Sequence, residues 1–117
     1  MILNKNYVNP IAIINQDCLS YLRNYENLEN VIVYFDPPWG GVSYKSTEYI
    51  NLFLNDEMIG DIILNILQLN PALIILKVPS NFNFNFFNEQ IKYSYRTYPV
   101  YTPSIKNPKI SYYLLFI

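Results

Sequence analysis

Asp36-Pro37-Pro38-Trp39 sets a carboxylate, a locked carbonyl and a flat indole side by side. That combination suits one chemistry: preparing an exocyclic amine of a nucleobase for attack on an electrophilic carbon. Such an amine is a poor nucleophile because its lone pair is delocalised into the ring. Acceptors on its hydrogens return electron density to the nitrogen, and Asp36 offers a carboxylate for that purpose. The Pro37 carbonyl offers a second acceptor, held by the ring of Pro38. Trp39 offers a face for the base, where stacking is worth roughly 1–3 kcal/mol. A cationic base would add a cation–π attraction of about 0.5–2 kcal/mol. The displacement itself needs no metal and no nucleophilic side chain, because positioning supplies much of the acceleration. The plain alternative is a rigid turn in which Trp39 fills core space.

Position favours the chemical reading. The four residues close an uninterrupted apolar run, Val31-Ile32-Val33-Tyr34-Phe35, which reads as a parallel strand buried on both faces. Gly40-Gly41 follow and free the chain to turn. Upstream, Ile11-Ala12-Ile13-Ile14 reads as a strand ending at Asn15-Gln16-Asp17, and a short helix from about Cys18 to Tyr25 follows. Cys18 is expected to pack on the sheet. Downstream, Asn55 or Asp56 can cap a helix whose apolar positions are Ile59, Ile62, Ile63, Ile66 and Leu67, ended by Asn70-Pro71. Ala72-Leu73-Ile74-Ile75-Leu76 is a second buried strand closed by Val78-Pro79. Asn81 then caps a brief helix carrying Phe84, Phe87 and Ile91. Tyr93 to Tyr101 and Ile110 to Ile117 flank a stretch of turn composition and predict an antiparallel hairpin. This alternation predicts an α/β sheet with helices on its faces. Sites in such sheets lie at the carboxyl ends of strands, so Asp17, Asp36 to Trp39 and Pro79 to Asn81 are candidates to converge.

Composition bounds the rest. The 117 residues make one domain at most, 51 % hydrophobic and 17 % aromatic, which excludes a disordered tail. The apolar stretch from Ile59 to Leu69 is broken by Gly60, Asp61, Asn65 and Gln68, so no membrane span is expected. The opening Met1-Ile2-Leu3-Asn4-Lys5-Asn6 lacks the charged and apolar regions of a signal peptide. One cysteine and no histidine leave out an internal disulfide, a cysteine-based zinc site and histidine catalysis. The expectation is a metal-free intracellular domain, cytoplasmic or nuclear. A formal net charge of −1 argues against a broad basic surface for nucleic acid, so phosphates would be gripped locally. Heavy use of Asn, Ile, Tyr, Phe and Lys with scarce Gly, Ala and Arg points to an AT-rich coding sequence, as in large DNA viruses and AT-rich microbes.

Asp36-Pro37-Pro38-Trp39-Gly40-Gly41, with Tyr44 shortly after, resembles the Pro-Pro-Trp-Gly-Gly signature of trimethylguanosine synthases, the RNA cap guanine-N2 methyltransferases. Asn15-Gln16-Asp17 is similar to the family's Gly-Asp element after its third strand, with Gln16 in the glycine's place. Val78-Pro79-Ser80-Asn81 resembles its Leu-Pro-Arg-Asn segment. The resemblance implies the later part of a Rossmann-like class I methyltransferase sheet, with helices on both faces and the terminal hairpin. It implies S-adenosylmethionine as cofactor, with Asp17 on the adenine amine and Asp36 and Pro38 beside it. Asp36 and Pro37 would hold the attacking amine and Trp39 would stack on the methylated guanine of a capped RNA. Gly40, Tyr44, Lys77 and Asn81 complete the expected substrate side. Arg96, Lys106 and Lys109 are candidate phosphate contacts.

In that family a glycine-rich cofactor loop and a ribose-gripping acidic residue precede the segment matched by Asn15. Here the three glycines are Gly40, Gly41 and Gly60, so the cofactor half is expected from a missing N-terminal part or a complementary chain. In the usual strand order the missing first strand lies between the third and fourth. Its loss would separate Ile11–Ile14 from Val31–Phe35. Two other readings stay open. Asp36 is the residue many DNA amino-methyltransferases carry, and a remnant could bind a cap or a protein without catalysis.

Overall fold

The computed structural model describes residues 11–40, 48–101 and 109–117. Helix α1 (Cys18–Arg23) starts where expected, because the Asp17 carboxylate accepts the Ser20 backbone N–H at 3.1 Å. Strand β1 (Ile32–Phe35) follows. Helix α2 (Ile59–Leu67) buries Ile59, Ile62, Ile63 and Ile66, the stripe its periodicity predicts. Its start differs from expectation. Asn55 and Asp56 do not cap it; they have φ of 51° and 63° and turn a small antiparallel hairpin between β2 (Phe53–Leu54) and β3 (Glu57–Met58). Positive φ at both central residues is the two-residue hairpin geometry that Asn and Asp tolerate. Met58 stands at the N-cap with no side-chain bond to the helix.

Strand β4 runs Leu73–Pro79, further than the sequence suggested, since Val78-Pro79 lie inside it. A proline fits there because β1 ends opposite Leu76, leaving the last residues of β4 with one described neighbour. Helix α3 (Phe84–Ile91) is capped by Asn83, whose Oδ1 accepts the Phe86 N–H at 3.3 Å, and not by Asn81. Strands β5 (Arg96–Tyr101) and β6 (Lys109–Phe116) form the expected antiparallel pair. The sheet order is β1-β4-β6-β5, with β1 parallel to β4 and the remaining pairs antiparallel. This is a mixed α/β fold.

One apolar cluster joins Leu19 of α1, the four isoleucines of α2, and Phe87 and Ile91 of α3 to one face of the sheet. That face contributes Val33, Phe35, Ile74, Leu76, Val78, Leu114 and Phe116. The expectation of helices on both faces is therefore corrected: among the described residues they cover one. β1 is likewise half-covered, its alternate residues Ile32 and Tyr34 being exposed. The expected strand at Ile11–Ile14 is also absent. Those residues are exposed, and no strand beside β1 in the described sheet offers them a ladder. Cys18 faces solvent and does not pack on the sheet.

Candidate functional site at the strand ends

Asp36 to Gly40 leave the carboxyl end of β1 directly. Asp36 is exposed, Pro37 buried, Pro38 exposed and Trp39 half-buried against the core cluster. The buried Pro37 anchors the segment, so the carboxylate beside it stands at the rim and not in the interior. Gly40 has φ +93°, a conformation that side chains rarely adopt, although a Cβ there would meet nothing within 4 Å. Its need is conformational and not spatial: it redirects the chain immediately after the indole.

Lys77 comes to this segment from β4. It alternates with the buried Leu76 and Val78, so it stands on the face without helices, in register with Tyr113 of β6. Its Nζ lies over the Trp39 ring, 5.9 Å from the centroid. The sequence set Lys77 on the expected substrate side, and the structure gives it a partner not foreseen there, the indole itself.

The loop after β4 is held from the other side. Ile50 N–H donates to the Asn81 carbonyl at 2.9 Å, Asn83 N–H donates to the Ile50 carbonyl at 2.9 Å, and Ile50 bridges Phe82 in parallel. The segment at Ile50 is thereby tied to the end of β4. Asn81, half-buried, lines a depression with Tyr49, Ser80, Asn83, Phe84 and Asn85. Tyr44, Gly41 and Lys106 lie outside the described residues, as does the side chain of Lys109. Arg96 is exposed at the start of edge strand β5.

Asp17 is differently engaged. Its Oδ2 accepts from the Ser20 hydroxyl at 2.8 Å as well as from the Ser20 backbone, and its Oδ1 accepts from Asn55 Nδ2. The Ser20 hydroxyl, followed by the Ser20 N–H, lowers its carboxyl below the ordinary Asp value. Arg23 donates to Glu57 at 2.8 Å, a second tie between α1 and the β2–β3 hairpin. Asn55, Arg23 and Glu57 were missed in the sequence. The available signal was Asn55-Asp56 between two short apolar pairs, a hairpin dipeptide that also reads as a helix cap. Tyr34 was missed too. Shielding from water first, then the Tyr113 hydroxyl and the Asp36 charge, raise its ionisation above the usual tyrosine value.

The structure thus brings Trp39 and Lys77 together beside Asp36. Asp17 bonds Ser20 and Asn55, and none of its described partners lies in the 36–40 segment. An exposed carboxylate with lone pairs remaining can accept an adenine amine, so Asp17 fits one end of S-adenosylmethionine. Among the described residues the glycines are Gly40 and Gly60, and Gly60 packs inside α2 against Gln90, so neither forms a cradle for the ribose and methionine end. No group of three or more metal-ligating side chains occurs among the described residues, and none of their helices is long and apolar enough to cross a membrane.

Residues 4–112 match the model of a family described as RNA cap guanine-N2 methyltransferase. An uncharacterized protein of Acanthamoeba polyphaga mimivirus is 35 % identical over 79 residues, which are 67 % of this chain and 31 % of that protein. The match thus spans less than a third of the length of that relative.

Proposed function

Since the chain belongs to the RNA cap guanine-N2 methyltransferase family, we propose that it forms the base-holding part of an S-adenosylmethionine-dependent enzyme acting on the exocyclic N2 amine of the cap guanine. The observation that carries this reading is the Asp36–Gly40 segment at the end of β1, with its indole exposed to a cation from the neighbouring strand. S-adenosylmethionine, when bound, supplies an electrophilic methyl carbon. The chain's own residues prepare the amine. Asp36 and the Pro37 carbonyl accept its hydrogens and orient the nitrogen lone pair, Trp39 carries the base, and Gly40 turns the backbone clear of it. Asp17 accepts from the adenine amine, and Pro38 lies beside the cofactor. Tyr44, Lys77 and Asn81 flank the capped RNA. The ribose and methionine end is held by an N-terminal half, or a complementary chain, added at the β1 edge. The AT-rich composition and the mimivirus relative support an origin in a large DNA virus and work inside the infected cell.

The test is methyl transfer to a 7-methylguanosine-capped RNA by the chain completed with its cofactor half. Trp39→Ala should abolish transfer and spare cofactor binding; unchanged turnover would sink the role given to Trp39. Asp36 favours one second reading, transfer to a DNA amine, and an adenine-containing oligonucleotide in the same assay separates the two. Calorimetry on this chain alone addresses the remaining alternative, since cap binding without transfer in the completed enzyme would identify a non-catalytic remnant.

A further inference from the structure

We propose that Lys77 engages the indole of Trp39 as an internal cation, and thereby selects ligands that carry an anionic chain beside the stacking base. The inference rests on the stacking reading of Trp39 above. Three observations lead to it. The ammonium stands 5.9 Å from the ring centroid, inside the range at which an indole attracts a cation. The backbone of Lys77 is fixed by its pairing with Tyr113 of β6 and by Leu76, one residue earlier, which pairs with Phe35 of β1 on one side and Leu114 of β6 on the other. The Trp39 face is thus within the short reach of its head group. Among the described residues Lys77 has no carboxylate partner, the ion pair there being Arg23 with Glu57.

A ring already engaged by one cation is a poorer partner for a second. Free 7-methylguanosine, whose imidazole ring is cationic because both its nitrogens are substituted, must displace the ammonium or share the ring with it, and like charges at that separation repel. A neutral guanine faces only the displacement. A base joined to a phosphate chain changes the balance, because the phosphates give the displaced ammonium an ionic partner next to the ring. Lys77 therefore penalises the bare methylated nucleoside and rewards the phosphate-linked one. That is the distinction between a nucleoside from RNA turnover and an intact RNA end.

Trp39 is the single tryptophan, so its fluorescence reports the site directly. The chain is titrated with guanosine, 7-methylguanosine and 7-methylguanosine triphosphate. The wild type should bind the triphosphate most tightly. In Lys77→Gln the nucleoside 7-methylguanosine should bind about threefold to tenfold more tightly, the triphosphate more weakly, and guanosine should change less than either. Lys77→Met should repeat this pattern, and Lys77→Arg should keep the wild-type order, which also establishes that position 77 tolerates substitution. Equal weakening of all three ligands in the neutral variants would make Lys77 a mere support of the ring and overturn the proposal. So would an unchanged ratio between triphosphate and nucleoside. A wild-type chain whose fluorescence answers to none of the three overturns the stacking reading itself, and this inference with it.

Discussion

On the helix-bearing face of the sheet, Ile74, Leu76, Val78, Leu114 and Phe116 are at most 1 % exposed, whereas on the opposite face Ile32, Tyr34 and Tyr98 remain 63, 52 and 47 % exposed. The two faces do not differ much in chemistry. Ile75, Tyr113 and Leu115 join Tyr34 and Tyr98 in a shallow apolar depression on the open side. Strands made of continuous apolar runs are suited to cover on both sides, and the described helices provide it on one. The difference separates what the chain stabilises by itself from what its composition is prepared to receive. The candidate site lies at the boundary, because Trp39 packs on the covered core while Lys77 reaches it from the open face.

The largest effect that would sharpen this contrast is Ile63→Ala on α2. The residue is fully buried, and its truncation should cost about 2–5 kcal/mol in urea unfolding. Tyr34→Ala on the open face should cost much less in this chain. A loss equal to that of Ile63→Ala would show the open face to be covered after all. If the proposed N-terminal half or complementary chain covers this face, joining it should raise the cost of Tyr34→Ala in the same unfolding experiment.

Gly40→Ala should come next, at about 1–2 kcal/mol, from the left-handed backbone alone since the space is open. A shift in Trp39 emission should accompany it. Asp17 gives a smaller and pH-dependent effect. Its carboxyl is lowered in the folded chain, so the stability it contributes is fully present above its ordinary value of 3.8 and is lost as pH falls through the lower folded value. The stability gap between wild type and Asp17→Ala should therefore be constant near neutrality and narrow in acid; a gap that widens in acid would contradict the hydrogen bonds assigned to it. Smallest of all, Arg23→Ala should leave the unfolding midpoint almost unmoved, because both partners of its ion pair are well exposed.

Much of this was legible in the sequence for physical reasons. The isoleucine spacing in α2 declared its buried stripe, the two apolar runs declared β1 and β4, and turn composition between tyrosine-rich segments declared the hairpin. The motif was placed at a strand end because prolines stop a ladder. Errors arose where one local signal has two meanings. Asn and Asp cap helices and also accept positive φ, so Asn55 and Asp56 were read as a cap when they turn a hairpin, and Asn81 was chosen over Asn83. Ile11–Ile14 has strand propensity, but propensity needs a neighbour to pair with. The meeting of Lys77 with Trp39 was beyond sequence reading, since it depends on the register between β1 and β4 and on the face a side chain takes.

The parallel pairing of β1 has one more consequence. Four residues long, with its outer backbone unpaired among the described residues and Ile32 and Tyr34 bare beside it, it is an invitation to another strand. At high concentration the chain by itself should recruit its own copies there, and turbidity should grow with protein concentration. Shortness is its natural restraint, and a lysine at position 32 would be a simple one to add for handling the protein in solution.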